Sequence, residues 1–223
     1  MKALNHTLRL GASTMLALIL GSYLHTSSAH AEDVGSISRV MGGIQIDARD
    51  NAGDLSAVNG GIDIGRGANT GDIETVNGGI DISDEAVVDS ASTVNGGIDV
   101  GNHVTVRGSL ETVNGGIQIN SGSTIQHSVE TVNGRIRLSN TQVGEYVATV
   151  NGDLILRDES VVDGDLILGG RSSWFNRFFN WSSSKSDLII DASSTVRGDI
   201  HLYEEYNLRI DDDTRVGEII EHF

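Results

Sequence analysis

An all-β fold, a single-stranded parallel β-helix or β-solenoid, is predicted by three features of the sequence. One phrase returns at a near-constant interval, apolar residues alternate with polar ones inside each interval, and no part of the repeats carries a helical period. The phrase reads Thr75-Val76-Asn77-Gly78-Gly79-Ile80-Asp81-Ile82. Its asparagine falls at Asn59, Asn77, Asn95, Asn114, Asn133 and Asn151, and Met41 holds the place in a degenerate first copy. The intervals from 41 to 151 are 18, 18, 18, 19, 19 and 18 residues. A fixed period of this kind marks a solenoid and outranks local propensity.

The chain begins with a basic stretch at Lys2 and Arg9, an apolar run from Leu10 to Leu20, and Ala29-His30-Ala31 before Glu32. Small residues at the −3 and −1 positions complete the pattern of a secretory signal peptide over 1–31. The apolar run is short for a membrane span. The protein is therefore expected to be exported, to the periplasm, the outer-membrane surface or beyond. Residues 32–223 are expected to form one solenoid domain.

Each coil is built from short strands and turns. Runs such as Ile80-Asp81-Ile82 alternate with period two, as a half-buried strand does. A second motif, Gly-Asp followed by Leu or Ile, opens most coils, as in Gly53-Asp54-Leu55, Gly71-Asp72-Ile73 and Gly164-Asp165-Leu166. The Asn-Gly pair reads as a turn in which Asn accepts left-handed backbone geometry, and stacked Asn amides can hydrogen-bond along the axis. The Thr75, Thr93, Thr112, Thr131 and Thr149 column suits stacked strands, because β-branched side chains pack well there. Nine to ten coils of 18–19 residues result, and right-twisted strands favour a right-handed winding.

One interval breaks the rule. From the coil opening at Leu166 to the next at Ile200 there are 34 residues. The spacing Leu154 to Leu166 equals Leu188 to Ile200, so Leu188 is the counterpart of Leu154. The excess lies at about 170–185, where the Asn-Gly corner should be. It reads Trp174-Phe175-Asn176-Arg177-Phe178-Phe179-Asn180-Trp181, with Tyr203 and Tyr206 at the same corner of the following coil. Trp174, Phe175, Arg177, Phe178, Phe179, Trp181, Tyr203 and Tyr206 form the candidate binding group. Aromatic rings beside arginine suit a protein, glycan or membrane-surface partner. The alternative is a loop folded back to cover the side of the solenoid.

Composition excludes whole classes. The 223 residues include 31 acids against 15 Lys and Arg, for a formal charge of −16, with no Cys and no Pro. Without Cys there is no disulfide scaffold, thiolate metal site or Cys nucleophile. The negative charge argues against nucleic acid as a partner. Asp63, Asp81 and Asp99 share one position in three successive coils. Stacked carboxylates repel, and calcium is the ion whose oxygen preference would relieve them; the alternative is a solvated acidic face. No metal-ligand spacing, nucleophile elbow, phosphate loop or dinucleotide motif occurs, and His103, His127, His201 and His222 are scattered. The expectation is a non-enzyme without a cofactor, calcium apart. Exposed terminal coils are sheet edges, so self-association at the coil ends is a further expectation.

The Thr-Val-Asn-Gly-Gly-Ile-Asp-Ile unit with Gly-Asp-Leu/Ile between copies resembles the bacterial adhesin family of β-strand-repeat proteins, which includes the head-GIN type. It is similar, more weakly, to the bactofilins, whose coils have comparable length. The resemblance covers residues 37–165 closely and 188–223 more loosely. It implies a β-solenoid, usually exported and without enzymatic activity, working as an adhesin. Bactofilins polymerise in the cytoplasm, a setting that the signal peptide opposes. The resemblance brings no catalytic residue to this chain, and the aromatic insertion departs from the plain repeat.

Overall fold

The computed structural model describes residues 33–169 and 185–223. Segment 1–31, expected to be a signal peptide, and six members of the aromatic group (Trp174, Phe175, Arg177, Phe178, Phe179 and Trp181) lie outside these residues.

Among the described residues every regular element is a β-strand, and the strands form three parallel sheets of nine, ten and nine strands. Each coil contributes one strand to each sheet in turn. A five-residue strand such as Ile73–Asn77 enters the long sheet, Ile80–Ile82 enters the short sheet, and Val87–Val88 enters the narrow sheet. The chain then returns to the long sheet at Ala91–Asn95, one coil further on. Thr75 pairs with Thr93, Asp81 with Asp99, and Val87 with Thr105. This is the β-solenoid of about nine turns that the period predicts.

Alternation decides which face of each strand is buried. In Leu110–Asn114, Leu110 and Thr112 point inward while Glu111 and Val113 face outward. The inward residues join into one apolar column running from Ile44 to Leu202. Ile98 is fully buried between Ile80 and Ile117, its partners in the coils on either side. Burial of one such side chain contributes about 1.5–3 kcal/mol. Because its neighbours belong to other coils, no coil is stable alone.

The recurring polar residues each hold one coil to the next. The Thr column is interior, and the hydroxyls of Thr75, Thr93, Thr112 and Thr131 donate to the carbonyls of Gly60, Gly78, Gly96 and Gly115 at 2.8–2.9 Å. Thr149 keeps the buried place, but its hydroxyl has no partner among the described residues. At the Gly-Asp corner the aspartate accepts a backbone N–H from the next coil. Asp54 Oδ1 takes it from Asp72 at 3.1 Å, and Asp165 Oδ1 takes it from Asp199 at 2.9 Å.

The Asn column forms a continuous amide ladder. Nδ2 of Asn77, Asn95, Asn114, Asn133 and Asn151 each donates to Oδ1 of the preceding Asn, at 2.9–3.1 Å. The left-handed backbone expected at these Asn is not observed. Positive φ occurs instead at Arg49, Glu85, His103 and Asn140, around the corner between the short and narrow sheets. Each ladder Asn is the last residue of an extended long-sheet strand, which leaves its amide free to stack. The glycine after it answers to crowding. A Cβ on Gly78 would lie 2.1 Å from the Gly60 carbonyl oxygen.

The register runs unbroken past the insertion. Val147 pairs with Leu166 and Thr149 with Leu168 before it, and Leu154 pairs with Leu188 and Leu156 with Ile190 after it. The extra residues therefore fall in the chain between Leu168 and Asp187, the last residue of a long-sheet strand and the first of a short-sheet strand.

Candidate functional site

The root of the insertion is the first candidate surface. Tyr203 follows Leu202, whose partner is Leu168, and its N–H donates to the Leu168 carbonyl at 2.7 Å. This places Tyr203 directly over the residues where the insertion departs, as the repeat offsets require. Tyr206 packs against the apolar column, and its hydroxyl reaches the Gly152 carbonyl at 3.5 Å. Burial, with Glu204 and Asp153 nearby, holds its ionisation well above the ordinary tyrosine range, so it stays neutral. The two tyrosines thus differ: Tyr206 anchors the corner, while Tyr203 presents a ring. That ring stacks on His222, with centroids 4.3 Å apart and planes 9° apart. On the returning side Lys185 pairs with Glu205 at 2.7 Å, and Asn207 Nδ2 donates to Asp187 Oδ1 at 3.0 Å.

Two histidines read as scattered in the sequence meet here. His201 Nδ1 lies 3.1 Å from His222 Nε2, and His201 Nε2 lies 3.7 Å from Asp165 Oδ2. Coil stacking brings this about. Ile220 pairs with His201, and two residues later the chain is again on the same side of the strand. The offset between the two histidines, 21 residues, differs from the coil length, so comparing equal offsets could not find the pair.

The acidic column is the second candidate. Gln45, Asp63, Asp81, Asp99 and Gln118 follow one another in register on the outer face of the short sheet. Burial, then Asp63 and Asp99, raise the Asp81 carboxyl above its ordinary value. Asp81 and Asp99 line a shallow depression of about 410 Å³ with Arg66, Asp84 and Asn120. Arg66 pairs with Asp84 at 2.7 Å and with Glu85 at 3.1 Å, which brings positive charge to the rim. Among the described residues no group of three or more His, Asp or Glu is arranged to hold a metal ion.

A third cluster escaped the sequence reading. On the outer face of the long sheet Glu111 pairs in register with Glu130. Glu130 Oε1 accepts from Ser128 at 3.0 Å and from the Tyr146 hydroxyl at 2.7 Å, and Ser128 touches Ser109 at 3.0 Å. Burial and then Glu130 raise the Glu111 carboxyl. The signal was present in the sequence as successive Glu at one repeat offset, Glu111 and Glu130, with Tyr146 one coil further on.

Neither protein-family models, nor characterised proteins, nor solved structures give a match to this chain.

Proposed function

We propose that the chain is an exported, non-enzymatic β-solenoid that serves as an adhesin or interaction protein of the cell envelope and makes its contact through the aromatic insertion. One observation supports this reading above the others. Coil pairing continues on either side of the insertion, Val147 with Leu166 before it and Leu154 with Leu188 after it, so the segment is set into one corner of an otherwise regular repeat. A Trp- and Phe-rich segment that the repeat itself does not call for is best explained by a partner. The resemblance to the adhesin repeat family points the same way. The overall negative charge disfavours anionic lipid and leaves protein or glycan as the partner chemistry. The test is the double variant Trp174→Ala/Trp181→Ala, assayed for attachment to cells or matrix. Attachment is lost while the melting temperature stays unchanged; undiminished attachment refutes the reading. Trypsin applied to intact and to permeabilised cells locates the insertion, through Arg171, Arg177 and Lys185.

A second reading, a periplasmic scaffold assembled end to end, is favoured by the last described coil. Leu208 and Ile219 are 40% and 43% exposed, whereas Leu188 and Ile200, one coil earlier in the same columns, are fully buried. Sedimentation over a range of concentrations distinguishes the two. Particle mass that rises with concentration and is held down by Ile219→Lys supports the scaffold; a monomer throughout refutes it.

A further inference from the structure

Six Asn-Gly pairs, from Asn59-Gly60 to Asn151-Gly152, stand on the surface with every Asn exposed. Asn-Gly is the pair most prone to spontaneous deamidation, because glycine places no side chain in the path of its own nitrogen. In an exported protein that is not renewed, such a row would be a chemical weakness. The ladder changes this. For the reaction at Asn77, the Gly78 nitrogen must lose its proton and approach the Asn77 carboxamide carbon. That N–H is bonded to the Asn95 carbonyl at 3.2 Å. The Asn77 amide is itself held at both ends, donating to Asn59 at 3.0 Å and accepting from Asn95 at 2.9 Å. Asn95, Asn114 and Asn133 are held in the same way.

Asn59 differs. Its Oδ1 accepts from Asn77, but the preceding coil has Met41 where an Asn would stand. Its Nδ2 therefore reaches only the Val40 carbonyl, at 3.4 Å. The geometry points to Asn59-Gly60 as a deamidation site, and to the asparagine ladder as the device that closes the same chemistry at Asn77, Asn95, Asn114 and Asn133. The Gly60 nitrogen bonds to Cγ of Asn59 and its proton passes to solvent. The Cγ–Nδ2 bond breaks, and ammonia leaves after taking up a proton from water. A water molecule then opens the cyclic imide at either carbonyl, giving aspartate or isoaspartate.

The ladder has a direction, and this limits the damage. Every donor points towards the preceding coil, so an acid at 59 still accepts the Asn77 amide and leaves Asn77 locked. An acid in mid-ladder acts differently. Asn95→Asp removes the donor that holds Asn77 Oδ1 but still accepts from Asn114. It therefore opens the rung before it and not the rung after it.

The experiment is peptide mapping by tandem mass spectrometry after incubation of the full chain at mildly alkaline pH, folded and in urea. In urea the five sites Asn59 to Asn133 convert at similar rates. In the folded protein the four inner sites convert on the order of 100-fold more slowly, the product of three hydrogen bonds that must open first. Asn59 converts roughly fivefold faster than these four, because one of its bonds is long. In folded Asn95→Asp, Asn77 accelerates and Asn114 does not. Inner sites that convert in the folded protein at the urea rate overturn the proposal, as does an Asn59 no faster than they are. Circular dichroism establishes that Asn95→Asp is folded, and the wild-type comparison decides the matter if it is not.

Discussion

The two glycines of each Asn-Gly-Gly corner look equivalent in sequence and are not equivalent in the structure. A Cβ on Gly78 would lie 2.1 Å from the Gly60 oxygen, 2.5 Å from its carbon and 2.8 Å from the Gly61 nitrogen, all backbone atoms. A Cβ on Gly79 would meet only the Gly97 oxygen, at an ordinary 3.5 Å. For Gly78→Ala the Gly60 carbonyl must retreat by about 1.3 Å to reach van der Waals distance. That carbonyl accepts the buried Thr75 hydroxyl at 2.9 Å, so the retreat leaves Thr75 unsatisfied. Overpacking costs about 1–3 kcal/mol and the lost hydrogen bond about 1 kcal/mol, for a total of about 2–4 kcal/mol. Gly79→Ala instead gains about 0.4–1 kcal/mol by restricting the unfolded chain. Urea unfolding followed by far-ultraviolet circular dichroism measures both. The Gly78→Ala midpoint falls by about 1 M or more, and the Gly79→Ala midpoint does not fall. Equal midpoints for the two variants would refute the stacking geometry from which the argument is made.

Three other perturbations have definite outcomes. Ile98→Ala opens a cavity in the middle of the apolar column and costs about 2–5 kcal/mol, read from the same unfolding curves. Asp81→Asn relieves repulsion from Asp63 and Asp99 and raises the melting temperature, more at low salt than at high salt; an increase independent of salt would mean the column is not electrostatically strained. Glu111 has a folded-state pKa above its ordinary value, so the folded state binds its proton more tightly than the unfolded chain does. Its contribution therefore becomes more favourable as pH falls from above the raised value to the ordinary glutamate value of 4.5, and Glu111→Gln flattens the stability profile in that window.

The fold was legible because the rod is one coil written repeatedly. The coil length, the inward isoleucines of each Ile-x-Ile strand, the Gly-Asp corner and the place of the insertion follow from offsets, and Leu154↔Leu188 confirms the last of these; the interior Thr does not, because the apolar offset next to it belongs to Val113, which the strand turns outward while Thr112 points in. Reading failed where one dipeptide serves two kinds of physics. Asn-Gly is the signature of a left-handed turn, but here Asn closes an extended strand and Gly makes room for the carbonyl of the coil below. It failed again where contacts cross coils at unequal offsets, as with His201 and His222, or with Tyr146 on Glu130.

The same distinction bears on where function lies. A position that repeats in every coil is constrained by stacking, and its residue is explained once its neighbours above and below are named. Thr112 and Asn114 are explained in this way. A position that breaks the period has no such explanation available. Met41 breaks it and leaves Asn59 with a 3.4 Å bond to the Val40 carbonyl in place of a ladder bond; the insertion breaks it with an aromatic sequence where a corner of two or three residues would suffice. In a solenoid the exceptions to the repeat are therefore the residues whose replacement should change behaviour without changing the coil.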